Sequence, residues 1–333
     1  MAVLVAPPAG ARKHREPASA GKQILLLWRD PADIASRDLF WGPGGRAHEP
    51  HGPFTFVKED RKGTSPKFVV RDRDGTEWKV KMGPEARPET AATRLVWAAG
   101  YFADEDYFVR ELHVAGMPTR LHRGWKLVSP DGTVHDVRLE RERGDKKLGV
   151  WRWDRNPFAG TRELNGLRGL MVLINNWDLK TENNSILQEG GEKVYEVSDL
   201  GASFGSAGLV WPLADAKGNL ANYERSKFIR QVKDGLVDFQ APARPRFVFA
   251  VNPKAYFSRL HVERVGRGIP LEDAAWIGRL LARLSQIQIR DAFRAAGYSA
   301  EDQAAFAGIL QSRIAQLTDL GTDSQAAGGT TPN

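Results

Sequence analysis

The chain has 333 residues, of which 41% are hydrophobic and 27% are charged, as in an ordinary globular protein. It contains no cysteine, which excludes disulfide bonds and thiolate metal sites, and no apolar run of about eighteen residues, which excludes a membrane-spanning helix. The net charge of +7 would suit an anionic partner, but Lys and Arg are spread along the chain, so we interpret the charge as a solvated surface and expect no nucleic-acid binding.

The first 22 residues are rich in Ala, Pro, Gly and charge, which predicts a disordered tail over residues 1–22. The apolar run Ala2–Ala6 is too short for a signal sequence, so we expect a cytoplasmic protein. The alternative is export, with this run as the remnant of a signal, if the true start lies upstream of Met1. His48 and His51 suggest a metal pair, but the Gly and Pro residues around them favour a surface loop.

Three strands are predicted next, at Phe54–Val57, Lys67–Arg71 and Glu77–Lys81, with a hairpin turn at Asp74-Gly75 between the last two. The loop between the first two strands contains a glycine, Gly63. In the third strand, EWKVK, alternation places Lys79 and Lys81 on the face opposite Trp78 and Val80.

A helix is predicted over Pro88–Ala99, with proline at its first position and Gly100 just past its end. Its apolar stripe is formed by Ala92, Leu95, Val96 and Ala99, and Glu89 shares that face. Further strands are predicted at Tyr107–Val114, Gly124–Ser129 and Val134–Glu140, the last two joined at Asp131-Gly132. We interpret the charge run Arg138–Lys147 as a solvated strand end and loop.

The second half begins with a predicted helix, Thr161–Asn175, that leads into the loop WDLKTEN at residues 177–183. Two short strands, Ser185–Leu187 and Lys193–Val197, are joined at Gly190-Gly191. Such a hairpin would return Asp199, in the sequence DLG, to the side of Asn183.

The remaining elements are predicted as follows: a loop to Asn222, a short helix at Tyr223–Lys233, a strand or loop at Arg244–Val251, helices at Leu271–Ala296 and Ala300–Leu317, and a disordered tail over residues 321–333. The apolar stripe predicted for the first of the two long helices consists of Ile277, Leu280, Leu281, Leu284 and Ile287.

The pair WDLKTEN and DLG resembles the HRDxxxxN loop and the DFG turn of the protein-kinase-like superfamily, in an atypical and poorly characterised bacterial family. The resemblance follows the order of elements from Phe54 to Leu317. It implies a two-lobed α+β fold, with a strand-rich N-lobe over residues 23–153 that binds nucleotide and a mainly helical C-lobe over residues 154–320.

The resemblance also implies roles for individual residues. Asp178 would hold the acceptor hydroxyl, Lys180 would offset the charge of the γ-phosphate, and Asn183 and Asp199 would bind Mg²⁺. Lys81 and Glu89 would form the ion pair that positions ATP, and the Gly63 loop would contact its phosphates. Two alternatives stay open: Lys79 and Lys81 are both exposed strand lysines, or Glu89 only complements the helix dipole.

The sequence departs from protein kinases in three places. The glycine loop has Gly63 instead of GxGxxG, Trp177 replaces the arginine before the catalytic aspartate, and no APE follows Gly205. We therefore predict an ATP- and Mg²⁺-dependent phosphotransferase whose substrate handling differs from that of protein kinases. Its hydroxyl acceptor could be a protein, a lipid headgroup or a small molecule such as a sugar or an antibiotic.

Two rival interpretations are of different classes. The first is a kinase-like fold that has lost turnover and serves as a binding protein. The second is a serine hydrolase, because GASFG at residues 201–205 matches GxSxG and places Ser203 as the nucleophile, with Asp234 or Asp238 and then His261 in the hydrolase order. The hydrolase requires a helix directly after the serine, where Gly208 and Pro212 stand.

Overall fold

The computed structural model describes residues 23–210, 214–241 and 260–328. Apolar and charged residues alternate in the strands on either side of the turn at Gly75, and these strands belong to a closed barrel. The barrel strands, in their order around the barrel, are β2 Phe54–Asp60, β3 Lys67–Arg71, β4 Glu77–Lys81, β6 Thr133–Arg141 and β5 Asp106–Ala115. The first three are the predicted strands, and β2 continues three residues beyond its predicted end. Trp78 and Val80 fill the barrel, so Lys79 and Lys81 face outward from it.

Two predictions for the N-terminal half of the chain are wrong. Gly124–Ser129 is not a strand: it contains the short 3-10 helix Trp125–Leu127, and β6 pairs instead with β4 and β5. The charge run after Arg138 does not begin on the surface, because β6 lies between two strands and the Arg138 side chain is 1% exposed.

One helix, α1 Ala86–Ala98, connects the barrel to the rest of the molecule. It begins two residues before the predicted start, so Pro88 lies within its first turn rather than at its first position. The predicted apolar stripe is buried, but in a second and larger core that includes Ala92, Leu95 and Val96 together with the C-terminal helices.

A second sheet lies beside the barrel, in the order β1 Leu25–Leu26, β9 Glu192–Val197, β8 Asn184–Glu189 and β7 Lys146–Gly149. β8 and β9 form the predicted glycine hairpin, and β1 pairs in parallel with β9. Leu27, Ile34 and Leu39 belong to the larger core, although they lie in the range predicted for the N-lobe. β7 also lies in the range predicted for the N-lobe, but it pairs with β8, which lies in the range predicted for the C-lobe.

The remaining elements surround the larger core. The helices are α2 Arg162–Leu173, α3 Leu220–Arg225, α4 Leu271–Leu281, α5 Gln286–Ala295 and α6 Ala300–Gly328; the strands are β10 Ser206–Val210, β11 Ala214–Ala216, β12 Ile229–Lys233, β13 Leu236–Phe239 and β14 Ile269–Pro270. A hairpin thus replaces part of the loop predicted after Gly205, and β12 replaces the second half of the predicted helix Tyr223–Lys233. Arg244–Val251 lies outside the described residues.

The long helix predicted over Leu271–Ala296 is two helices. The chain turns after Leu281, and Ser285 starts α5 with a capping box in which its side chain and that of Gln288 bond each other's backbone N–H groups. Ile287 therefore leaves the predicted apolar stripe and is 70% exposed. The last helix continues to Gly328, through residues for which we predicted a disordered tail.

Helices and strands are thus mixed throughout the described chain, which confirms the α+β class. None of the described helices has both the length and the apolar composition that crossing a bilayer would require.

Candidate active site

A cleft of about 350 Å³ lies between the outer face of the barrel and the second sheet. One wall is formed by β4 and β6, the other by β8, β9 and the turn that follows β9. Of the residues predicted for the site, the cleft is lined by Lys81, Glu89, Asn183 and Asp199.

Lys81 is the centre of a compact cluster of charges. Its Nζ lies 2.7 Å from Glu89 Oε2, 2.7 Å from Asp199 Oδ1 and 3.2 Å from Glu85 Oε2, and the residue is 4% exposed. Burial alone would lower the pKa of Lys81, but the three carboxylates outweigh it and raise the pKa. Lys81 is therefore a buried, charged ammonium rather than an exposed strand lysine.

Glu89 is held from two sides, which fixes α1 against the barrel. Its second oxygen, Oε1, lies 3.4 Å from Nη1 of Arg138. This contact is an ion pair without a hydrogen bond, and Arg138 donates its hydrogen bonds to Asp106 at 2.6 Å, to Glu140 at 2.8 Å and to Asp104 at 3.0 Å. Glu89 and Arg138 are buried, whereas a carboxylate that only complements the helix dipole can stay at the surface.

The second anchor of α1 is Asp106, whose carboxylate also receives hydrogen bonds from Thr93 and Arg94 of the helix. Sequence reasoning missed Arg138 because its neighbours form a charge run, which normally marks a surface. The available signal was the β-strand pattern of residues 133–139, which placed Arg138 within a strand.

Glu85, the residue before α1, was also missed. Its carboxylate receives hydrogen bonds from Ser65 of the glycine loop, at 2.8 Å, and from Lys217, which follows β11. Burial raises its pKa, but Lys81 and Lys217 more than offset this and lower the pKa of Glu85 to about 2. A Cβ atom on Gly201 would lie 2.6 Å from the side chain of Glu85, so the glycine of DLG permits this close approach.

The loop after α2 holds the second group of predicted residues. Lys180 Nζ lies 2.7 Å from Asp178 Oδ1, and the side-chain amide of Asn183 donates to the Asp178 carbonyl at 2.7 Å. Ser198 donates from its backbone N–H and its hydroxyl to the Asn183 carbonyl, both at 2.9 Å. These bonds fix the loop directly beside Asp199, as the predicted hairpin required.

Asp178 and Asp199 both influence the pKa of Lys180. Burial lowers its pKa, but Asp178 and then Asp199 raise it more, and the net shift is upward. The two carboxylates therefore act on one ammonium group.

Asp199 and Asn183 have the chemistry of a hard-cation site. Asp199 adopts a positive φ of 55°, a conformation that is costly for a residue other than glycine and that holds its carboxylate towards the cleft. Its Oδ1 contacts Lys81, while Oδ2 and the side-chain oxygen of Asn183 have no hydrogen-bond donor among the described residues. Both oxygens are of the ligand type that Mg²⁺ prefers.

Three residues predicted for the site do not line the cleft, namely Gly63, Asp178 and Lys180. Gly63 is in the loop after β2 with a φ of 68°, but it does not line the cleft, and its carbonyl accepts a hydrogen bond from Arg123. His48 and His51 do not form a metal pair, because their Nδ1 atoms contact Glu105 and Asp74, at 2.8 and 3.1 Å.

The groups of the hydrolase alternative do not meet. Ser203 is fully buried and its Oγ has no hydrogen-bond partner among the described residues. His261 Nε2 lies 2.8 Å from the Leu179 carbonyl, and Asp238 accepts from the backbone N–H of Gly268 at 2.8 Å. The strand β10, not a helix, follows the serine, so GASFG is not a nucleophile elbow.

Comparison with known proteins gives a likeness at the level of structure, not of sequence. No family model matches the sequence, and no curated protein matches it. Among solved structures, the chain is similar to the proinflammatory kinase CtkA of Helicobacter pylori, with 12% sequence identity, a TM-score of 0.45, and coverage of 83% of this chain and 98% of that chain. These values are too low to transfer an activity or a residue role.

Proposed function

We propose that the protein is an ATP- and Mg²⁺-dependent phosphotransferase of the kinase type, which transfers the γ-phosphate to a hydroxyl group. The observation that carries the proposal is the position of Lys81 Nζ, 2.7 Å from both Glu89 and Asp199 at the wall of a cleft. A buried ammonium held between Glu89 of α1 and the Asp199 carboxylate can contact phosphate oxygens without a movement of α1.

The other residues divide the remaining tasks. Asn183 and Asp199 would hold Mg²⁺, which when bound neutralises charge on the phosphates. Asp178 orients the acceptor hydroxyl and receives its proton, and Lys180, 2.7 Å from Asp178, compensates negative charge at the phosphate that is transferred. The acceptor stays open among a protein, a lipid headgroup and a small molecule.

The test separates the two aspartates. Asp199→Ala removes a metal ligand and should weaken Mg-ATP binding itself, whereas Asp178→Ala should still bind Mg-ATP while turnover falls about 100-fold or more. Nucleotide at about 100 times its dissociation constant stabilises the fold by about 2.7 kcal/mol, which raises Tm by a few degrees. Thermal shift with and without Mg-ATP therefore measures the binding, and release of labelled phosphate or its transfer measures the turnover.

A matched control is Asp33→Ala, because this carboxylate is 62% exposed and contacts Arg37, and neither residue lines the cleft. Its thermal shift should equal that of the wild type. A wild-type protein with no Mg²⁺-dependent shift would contradict the proposed site. Binding by all variants without transfer to any acceptor or to water would instead support the kinase-like binding protein.

A further inference from the structure

The loop after β2, for which the sequence predicts contact with phosphates, reaches the cleft through a lysine rather than a glycine. Of residues 61–67, all within the described chain, Lys67 is the one that lines the cleft. It is the first residue of β3, and the side chains that alternate with it, Phe68 and Val70, lie in the barrel core. Lys67 therefore projects from the outer face of the barrel, as Lys81 does.

Lys67 and Lys81 are direct neighbours across two antiparallel strands. Lys67 of β3 is paired in register with Lys81 of β4. Side chains at paired positions project from the same face with their Cβ atoms about 5 Å apart, and two like charges placed in this way destabilise a sheet. An anion that lies beside both ammonium groups would therefore be bound favourably.

Lys81 already has such anions, but Lys67 has no close one. Three carboxylates lie within 3.2 Å of the Lys81 ammonium. The Lys67 ammonium has Asp60 as its ion-pair partner, at 3.8 Å, and it donates no hydrogen bond to any described residue. Its side chain is 18% exposed, so it is partly confined in the cleft and its three N–H donors are available to a ligand.

The other cations that line the cleft do not combine these properties. Carboxylate partners within 3.5 Å are present for Lys79, Arg141 and Arg143. Lys147 has no ion pair within the described part of the chain, but it lies on β7 of the second sheet rather than beside Lys81. Lys67 is thus the cation next to Lys81 that is left for an anionic ligand.

Two hydrogen bonds hold the loop beside the Lys67 ammonium. Arg123 donates to the Gly63 carbonyl, and Ser65 donates to the Glu85 carboxylate at 2.8 Å. A Cβ atom on Gly63 would lie 3.7 Å from Lys67 Nζ, so the loop glycine and the ammonium are close neighbours. The ammonium therefore lies at the point where the loop approaches the cleft.

We propose that Lys67 binds the triphosphate of the nucleotide next to Lys81, in place of backbone N–H groups of the glycine loop. The inference rests on the proposed function and assigns its phosphate contact to a side chain of β3. A lysine ammonium binds phosphate as a point charge on a flexible stem, so it does not require the backbone geometry that several glycines provide.

The experiment is calorimetric titration of the full chain with Mg-ATP and with adenosine, which has no phosphate. Lys67→Gln keeps most of the stem but removes the charge, so its affinity for Mg-ATP should fall about 10-fold or more, while its affinity for adenosine should stay within about 2-fold of the wild type. Lys67→Arg keeps the charge and should bind Mg-ATP within about 3-fold of the wild type.

Lys62→Gln is the matched control. Lys62 belongs to the same loop and carries the same charge, but it is exposed and does not line the cleft. Its affinity for Mg-ATP should stay within about 2-fold of the wild type, because an exposed charge outside the cleft is screened by solvent.

Acetylation of lysine amines in the wild type, measured by mass spectrometry, tests the contact without a substitution. Mg-ATP and Mg-tripolyphosphate, each at about ten times its dissociation constant, should occupy about 90% of the sites and slow the acetylation of Lys67 about 10-fold. Adenosine should not slow it, and Lys62 should react at the same rate throughout. This measurement decides the proposal even if Lys67→Gln does not fold.

The outcomes separate the two proposals. An unchanged Mg-ATP affinity in Lys67→Gln, an equal loss of Mg-ATP and adenosine affinity, or acetylation of Lys67 that Mg-ATP does not slow would overturn the assignment of Lys67 and leave the phosphotransferase proposal standing. A wild type that does not bind Mg-ATP would overturn both.

Discussion

Three carboxylates converge on the Lys81 ammonium, and two further cations lie beside them. Lys217 contacts Glu85, and Arg138, which also contacts Asp104, Asp106 and Glu140, lies 3.4 Å from Glu89. Asp199 is the most accessible of the carboxylates, with a side chain that is 45% exposed, whereas Glu89 is 1% exposed. Asp199 is thus the group that can exchange its contact with Lys81 for a cation while the rest of the cluster persists.

Glu85 should make stability depend on acid in a predictable direction. Its pKa is lowered from 4.5 to about 2 in the folded chain. A group with a depressed pKa adds stability above its unfolded value, and this stability is lost as the pH falls through the folded value. The free-energy difference between wild type and Glu85→Gln should therefore be about 3 kcal/mol at pH 7 and should shrink between about pH 4.5 and pH 2.

Urea denaturation of both proteins at a series of pH values measures this difference. Glu192→Gln is the control, because that side chain is 32% exposed and its contact with Arg29 lies on the surface, where ion pairs contribute about 0–1 kcal/mol. A Glu85 difference that stays constant between pH 7 and pH 3 would mean that its contacts with Lys81 and Lys217 do not stabilise the fold.

At the scale of elements, the helix break before Ser285 changes which side chains are buried. The residues from Leu271 to Ala296 follow one helical periodicity closely enough to predict a single helix. The capping box at Ser285 restarts the helix in a new direction, so the periodic positions before and after it no longer share a face. Ile287 becomes 70% exposed and Ile289 becomes 1% exposed.

This pair of isoleucines gives a direct test of the break. Ile289→Ala should lower the free energy of unfolding by about 2–4 kcal/mol, since it leaves a cavity in the larger core. Ile287→Ala should change it by less than about 0.5 kcal/mol, as for most exposed positions. Both free energies are measured by chemical denaturation. A larger loss from Ile287→Ala than from Ile289→Ala would instead support the single helix predicted from the sequence.

Local patterns predicted the parts of the molecule that local physics determines. The strand EWKVK and the glycine hairpin before Asp199 needed only alternation and turn chemistry, and both occur as expected. The burial of Arg138 and the contacts of Glu85 could not be predicted in this way. They depend on partners such as Asp106 and Lys217 that lie far away in sequence, and a charged residue is expected at the surface until such partners are known.

At the scale of the whole molecule, a segment near the start of the described residues packs apart from the barrel that follows it. The segment that contains Leu27, Ile34 and Leu39 precedes the barrel in sequence but packs into the larger core. Its short strand pairs in parallel with β9, a contact between residues far apart in the chain that no local pattern reveals. The side-chain amide of Gln288, on α5, donates to the Ile34 carbonyl at 2.9 Å and ties the segment to the C-terminal helices.

We therefore expect Ile34 to contribute to the stability of the larger core. Ile34 is fully buried, so Ile34→Ala should lower the free energy of unfolding by about 2–4 kcal/mol. Ile24→Ala, ten positions earlier and 55% exposed, should change it by less than about 0.5 kcal/mol. Because α1 joins this core to the barrel through the Glu89 and Asp106 ion pairs, the loss should appear in one transition, with circular dichroism and tryptophan fluorescence giving the same midpoint. Equal effects of the two substitutions would show that the segment lies outside the core, and separate midpoints would show that the barrel unfolds independently.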